Sequence, residues 1–309
     1  MYIKQAFKIE NDWWLYLAGT VIVFVACMLG SIPHSIAVLA MGSENLDALD
    51  NPDDMYELFG LLDSNLNFFL MLISFAFGLL ALFFVVKKVH KQSIINLTTS
   101  RKKIDWGRFW FSFIFWGSFT VILVMIEYFI SPENFSFNFQ LFPFLILFFI
   151  AVIFIPLQAG FEEFLFRGYL MQGLGVLSKN RWLPLLVTSI LFGFLHGANP
   201  EVQKLGSILL IHYVSTGFLL GIMTLMDEGL ELALGFHISN NLFASLVITA
   251  DWTVFQTNSI LKDISEPSVS SHEIFIPVLI IYPLFLYILS RKYNWNNWRE
   301  KLSGNLSNN

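Results

Sequence analysis

Residues 141–170 read LFPFLILFFIAVIFIPLQAGFEEFLFRGYL, an apolar run that closes on two adjacent carboxylates and, four residues after the second, an arginine. A helix of about 20 apolar residues crosses the hydrocarbon core of a bilayer, and 140–161 meets that length without a charge. Runs of the same kind cover approximately 13–40, 65–86, 109–126, 182–195, 206–226, 232–250 and 274–290, the fifth in chain order short and the first long. Hydrophobic residues make up 56% of the 309, charged residues only 13%, and mean hydropathy is +0.64. A soluble fold carries roughly a quarter charged residues to wet its surface. The 34 phenylalanines suit lipid-facing helices. Disorder, collagen and coiled coil are excluded. A single cysteine, Cys27, excludes a disulfide framework and a Cys-based metal site. No basic domain is present, so no nucleic-acid partner is expected. The expected fold class is an all-α polytopic membrane protein with about eight transmembrane helices. Without repeats or linkers, residues 1–298 read as one transmembrane domain with a motif-bearing core at 140–250. The polar tail 299–309 is expected to fray.

Lys4 and Lys8 before an apolar run imitate a signal peptide, but the run is too long and lacks a cleavage site, so it reads as the first helix. Basic residues near span ends set orientation. With eight spans, fifteen of the 18 Lys and Arg fall on the side of the N-terminus: Lys4 and Lys8, seven from Lys87 to Arg108, Lys179 and Arg181, and four from Arg291 to Lys301. Lys204 and Lys262 fall opposite. The 41–64 loop holds Glu44, Asp47, Asp50, Asp53, Asp54, Glu57 and Asp63 without a basic residue. Both termini are therefore expected in the cytoplasm, with the acidic loop outside a multi-pass membrane protein (in the cell membrane, for a prokaryote).

Ionisable groups inside apolar spans cost roughly 3 kcal/mol each on insertion scales and are functional-site candidates by default. They cluster in three motifs: Gly160-Phe-Glu162-Glu163-Phe-Leu-Phe-Arg167-Gly168, Phe192-Gly-Phe-Leu-His196-Gly197 and His237-Ile-Ser-Asn-Asn241. Glu163 and Arg167 share a helix face and can pair in the favourable acid-first order. Glu162 is turned about 100° away, which leaves its carboxylate for chemistry. The plainer reading is a cytoplasmic helix end with solvated charges. His237 and Asn241 share a face of another apolar helix. With a hairpin turn near Ser178, Glu162 sixteen residues before it and His196 eighteen after it reach nearly the same height. Glu162 can then meet His196.

Glu-Glu-x-x-x-Arg, Phe-x-x-x-His and His-x-x-x-Asn, in that order on successive apolar helices, resemble the CAAX-protease and bacteriocin-processing family. Its best-known eukaryotic members are the type II CAAX prenyl endopeptidases. The resemblance implies an intramembrane protease whose helices enclose a cavity open towards the cytosol. It implies Glu162 as the base that activates a water, His196 assisting, His237 and Asn241 stabilising the oxyanion, and Glu163 with Arg167 supporting the site. The physics agrees: a carboxylate withdrawn into an apolar pocket becomes a stronger base, and an oxyanion donor contributes roughly 3 kcal/mol. The implied partners are membrane lipid and a membrane-associated or lipidated peptide or protein substrate. Two histidines and a carboxylate are also a zinc-site composition. The absence of His-Glu-x-x-His and the pairing of His237 with Asn241 favour a cofactor-free reaction, with zinc as the alternative. Two other functions compete: a non-catalytic peptide-binding or bacteriocin-immunity protein of the same fold, and a transporter, for which no paired repeats or interrupted helices speak.

Outside the motifs, His34 is expected to bond a carbonyl near the Pro33 kink and His212 to be a hydrogen-bonded core residue. His90 and His272 read as loop residues, Glu127 as water-accessible, and Trp13, Trp14, Trp106, Trp110, Trp295 and Trp298 as interfacial anchors.

Overall fold

The structure is a computed structural model and describes residues 1–42 and 62–306. The acidic 41–64 segment lies outside those residues except at its two ends. Each expected run forms a helix: α1 Trp13–Gly42, α2 Ser64–Phe84, α3 Trp106–Ile130, α4 Leu141–Glu163, α5 Met171–Ser178, α6 Trp182–Leu195, α7 Leu209–Asp227, α8 Glu231–Val247, α9 Tyr282–Tyr293 and, in the tail, α10 Trp298–Ser303. A π-helical turn at Phe164–Leu170 fuses α4 to α5 into one rod, and another at Val85–Val89 extends α2. Among the described residues six helical segments are long and apolar enough to cross a membrane. Trp182–Ala198 and the 17-residue α8 are shorter, so six full-length spans stand where eight were expected.

Local chemistry starts and stops these helices. Asp63 caps α2 by accepting from Asn65 N and Leu66 N, and Asp105 caps α3 by accepting from Gly107 N and Arg108 N. Such caps satisfy backbone donors that have no partner within the helix. Leu147, Ala151, Ile155 and Ala159, four apart along α4 and all 0% exposed, form its inner stripe. The next two positions on that stripe are Glu163 and Arg167, so core packing carries the charged pair inwards. Glycines allow the closest helix contacts. A Cβ on Gly193 of α6 would meet the backbone of Val214 on α7, and one on Gly235 of α8 would meet Phe109 O on α3.

The bundle has two distinct ends. At the terminal end, Tyr2 Oη donates to Leu97 O at 2.6 Å, its backbone N–H to the Glu228 carboxylate, and Gln5 Nε2 to Thr99 O at 2.8 Å. The described part of the tail, 299–306, does not fray. It forms α10, and Leu306, 1% exposed, donates its N–H to Lys179 O at 2.7 Å. Leu306 packs into the apolar core because burying it outweighs ordering a few polar neighbours. At the far end, β3 (Leu261–Asp263) pairs antiparallel with β1 (Phe135–Phe137) and parallel with β2 (Ile248–Thr249). Asn65 Nδ2 donates to Pro143 O there at 3.0 Å.

Two histidine readings change. His90 is 1% exposed, with Nδ1 2.6 Å from Glu10 O and Nε2 2.9 Å from Tyr169 Oη, because α1 and the π-helical turn at Phe164–Leu170 close over it. His272 falls within the short helix Ser271–Ile276. His34 does bond a carbonyl, the Asn67 side-chain Oδ1 at 2.7 Å.

Candidate active site

Glu162, His196, His237 and Asn241 all line one cavity of about 490 Å³. It lies among α2, α4, α6, α7 and α8, with Met71 and Phe75 of α2 supplying an apolar wall. Glu163 and Arg167 do not line it. They lie behind its floor at 0% exposure, with Arg167 Nη1 donating to Glu163 Oε1 at 2.9 Å and Nη2 to Gly217 O at 3.2 Å. The guanidinium also sits 4.2 Å above the Phe192 ring. A buried charge needs this density of partners, since burial removes its water.

His237 joins the two carboxylates. Its Nδ1 donates to Glu163 Oε1 at 2.8 Å, and its Nε2 stands 3.6 Å from Glu162 Oε2. A neutral imidazole carries one N–H. With that hydrogen on Nδ1, Nε2 faces the cavity as an acceptor and becomes a donor only as imidazolium. The expectation of a simple N–H donor at His237 is thereby narrowed. His196 is set in the same manner: Nδ1 donates to Phe192 O at 2.7 Å, and the ring stacks on Tyr213 at 4.4 Å. No ion-pair contact joins Glu162 to His196 among the described residues; His237 is the histidine within that range.

Sequence reasoning missed Gln158. It lies one turn before Glu162 on the same helix face, 5% exposed, donating through Nε2 to Glu162 Oε1 at 2.6 Å and accepting from Asn241 Nδ2 at 2.9 Å. The i, i+4 spacing to Glu162 was its only signal. Phe192 stood in the quoted motif without a role; it holds His196 through its carbonyl and Arg167 through its ring. His212 does line the cavity, 3.4 Å from Tyr282 Oη.

Among the described residues no group of three or more His, Cys, Asp or Glu is placed to hold a metal ion. Glu163 is committed to Arg167 and to His237 Nδ1.

The rim of the cavity comes from the far end: Asn199 and Glu201 after α6, the 249–255 loop after α8, and Asp263 of β3. Its mouth and the chain termini thus lie at opposite ends of the bundle. Cytosolic termini and a cavity open to the cytosol were both expected, and this arrangement does not allow the two together.

The model of the type II CAAX prenyl endopeptidase Rce1-like family matches residues 137–243, which contain all three motifs. That segment is similar to the CAAX-protease family, and the six long apolar helices make the protein a multi-pass membrane protein. The chain is 29% identical over 249 residues to the uncharacterized protein YyaK of Bacillus subtilis (strain 168), covering 80% of this chain and 81% of that one. No solved structure matches.

Proposed function

We propose that the protein is an intramembrane endopeptidase that hydrolyses a peptide bond of a membrane-associated substrate, with Glu162 as general base. The observation that carries this reading is the Glu162 carboxylate on the cavity floor: Gln158 holds its Oε1, while its Oε2 has no hydrogen-bond partner among the described residues. Glu162 takes a proton from a water whose oxygen attacks the scissile carbonyl carbon. Glu162 passes that proton to Nε2 of His237 or His196, each with Nδ1 fixed, and the imidazolium so formed gives it to the departing amine nitrogen as the C–N bond breaks. The products are a carboxylate and an amine. Asn241 has two amide hydrogens and gives one to Gln158, so the second serves the developing oxyanion. The Arg167–Glu163 pair fixes His237 from behind. No cofactor takes part.

The test is a quenched fluorescent peptide library incubated with purified protein, wild type against Glu162→Gln. Cleavage by the first and none by the second supports the reading. Equal cleavage by both overturns it, and cleavage by neither favours the non-catalytic peptide-binding alternative.

A further inference from the structure

The two ends of the bundle differ in charge as well as in what they hold. The terminal end has fifteen of the 18 Lys and Arg, while Arg167 is sealed inside. The far end has Lys204 and Lys262, and Lys262 is paired with Asp251 at 2.8 Å. The segment between Gly42 and Asp63, whose flanking helices end on that side, adds neither Lys nor Arg. Basic flanks stay in the cytoplasm. The terminal end is therefore the cytoplasmic one, and the rim of the cavity, formed by Asn199, Glu201, Asp263 and the 249–255 loop, faces the exoplasmic side.

Approach from the cytoplasm is blocked. Behind the floor lie Glu163 and Arg167, and Leu97, Leu230 and Met171 beyond them are 0% exposed. The cavity itself is anionic in character. Glu162, Glu201 and Asp263 line it, and no Lys or Arg does. Glu201 is built in: its Oε1 accepts from Tyr213 Oη at 2.5 Å and Asn199 Nδ2 at 3.0 Å, and its Oε2 from Val254 N at 3.0 Å. A substrate carrying a free carboxylate at the site would find no cation to hold it, whereas a cleft of one sign gathers the opposite charge.

We propose that the substrate is a neutral or cationic peptide segment presented at the exoplasmic face, which enters the cavity through the far end. The fate of that peptide rests on the hydrolase reading above; its route and charge do not.

Single-cysteine variants in a Cys27→Ser background test the proposal without any assay of turnover. Asp251→Cys at the rim should react with a membrane-impermeant maleimide in intact cells, and Ser303→Cys in the tail only after permeabilisation. At Thr253→Cys and Ala244→Cys, two lining positions, a cationic thiosulfonate should react roughly 10-fold faster than an anionic one of similar size. Protection of Asp251→Cys until permeabilisation would overturn the exoplasmic route. Equal rates, or a faster anion, at both lining positions would overturn the charge preference. Labelling as expected from a protein that cleaves no peptide would retire the hydrolase and leave this inference standing.

Discussion

Two buried networks of carboxylate and arginine stand in this bundle, and they are finished differently. At the terminal end Asp227 Oδ1 accepts from Trp295 Nε1 at 3.1 Å and from Arg108, and its Oδ2 from Arg101 Nη2 at 2.9 Å. Arg101 Nη1 reaches on to Glu231 Oε2 at 3.2 Å, and Glu231 Oε1 accepts from Asp105 N at 3.2 Å. Every oxygen of both carboxylates is used. In the cavity network Glu162 Oε2, Glu163 Oε2 and Arg167 Nε have no hydrogen-bond partner among the described residues. A buried polar atom without a partner costs about 1–3 kcal/mol. Of the three, Glu162 Oε2 belongs to a residue that lines the cavity, where a reacting group can supply the missing partner.

The sharpest way to break this contrast is to remove one carboxylate proton acceptor from each network. Glu162→Gln should lower kcat by roughly 1,000-fold, within the range of general-base loss, with an unchanged melting temperature. Asp227→Asn should do the opposite, lowering the melting temperature while the folded fraction keeps its kcat. Comparable loss of kcat in both variants would erase the distinction.

Next in size is the buried guanidinium. Arg167→Ala leaves Glu163 unpaired, and such a change costs about 3–5 kcal/mol. Reduced folded yield and earlier thermal aggregation should follow, and a wild-type melting curve would count against a buried pair.

Asn241→Ala removes the oxyanion donor and should lower kcat by roughly 100-fold with KM little changed. Gln158→Leu acts only through Glu162 and Asn241, so a smaller loss of about tenfold is expected, the worth of one hydrogen bond. Its pH–rate profile should move as well, because the carboxylate loses a donor; an unmoved profile would make Gln158 a packing residue.

The smallest effect belongs to the terminal end. Burial pushes the His90 imidazole below its ordinary 6.5, partly offset by the Glu10 carbonyl. The folded state therefore binds this proton less readily than the unfolded chain. Its contribution to stability is complete above about 6.5 and is lost as pH falls below that value. Wild-type melting temperature should drop between pH 7.5 and 5.5, and His90→Gln should flatten the drop.

Much of this was legible beforehand for a physical reason. Apolar length and the i, i+4 spacing of Glu163 and Arg167 are one-dimensional signals, and the hairpin arithmetic about Ser178 brought Glu162 and His196 into one cavity. What stayed hidden depends on how helices rotate against each other. His237 faces Glu162 because the Gly235 contact sets α8 on α3. His90 is buried because Tyr16 and Tyr169 close around it. The shortness of α6 was visible in sequence, but that α8 also falls short of a full-length span appeared only with its ends.

The π-helical turn at Phe164–Leu170 has a consequence for timing along the rod it joins. Such a turn holds one residue more than an α turn, so everything beyond it is rotated by roughly 100° against an unbroken helix. The upstream half aims Gln158, Glu162 and Glu163 at the cavity network. The downstream half aims Tyr169 at His90 and Gln172 at Gln92, whose Nε2 donates to Gln172 Oε1 at 2.9 Å. The turn works as a phase shifter between two gears on one shaft: each face meshes with its own neighbours, and deleting a single residue there would leave only one of them in step.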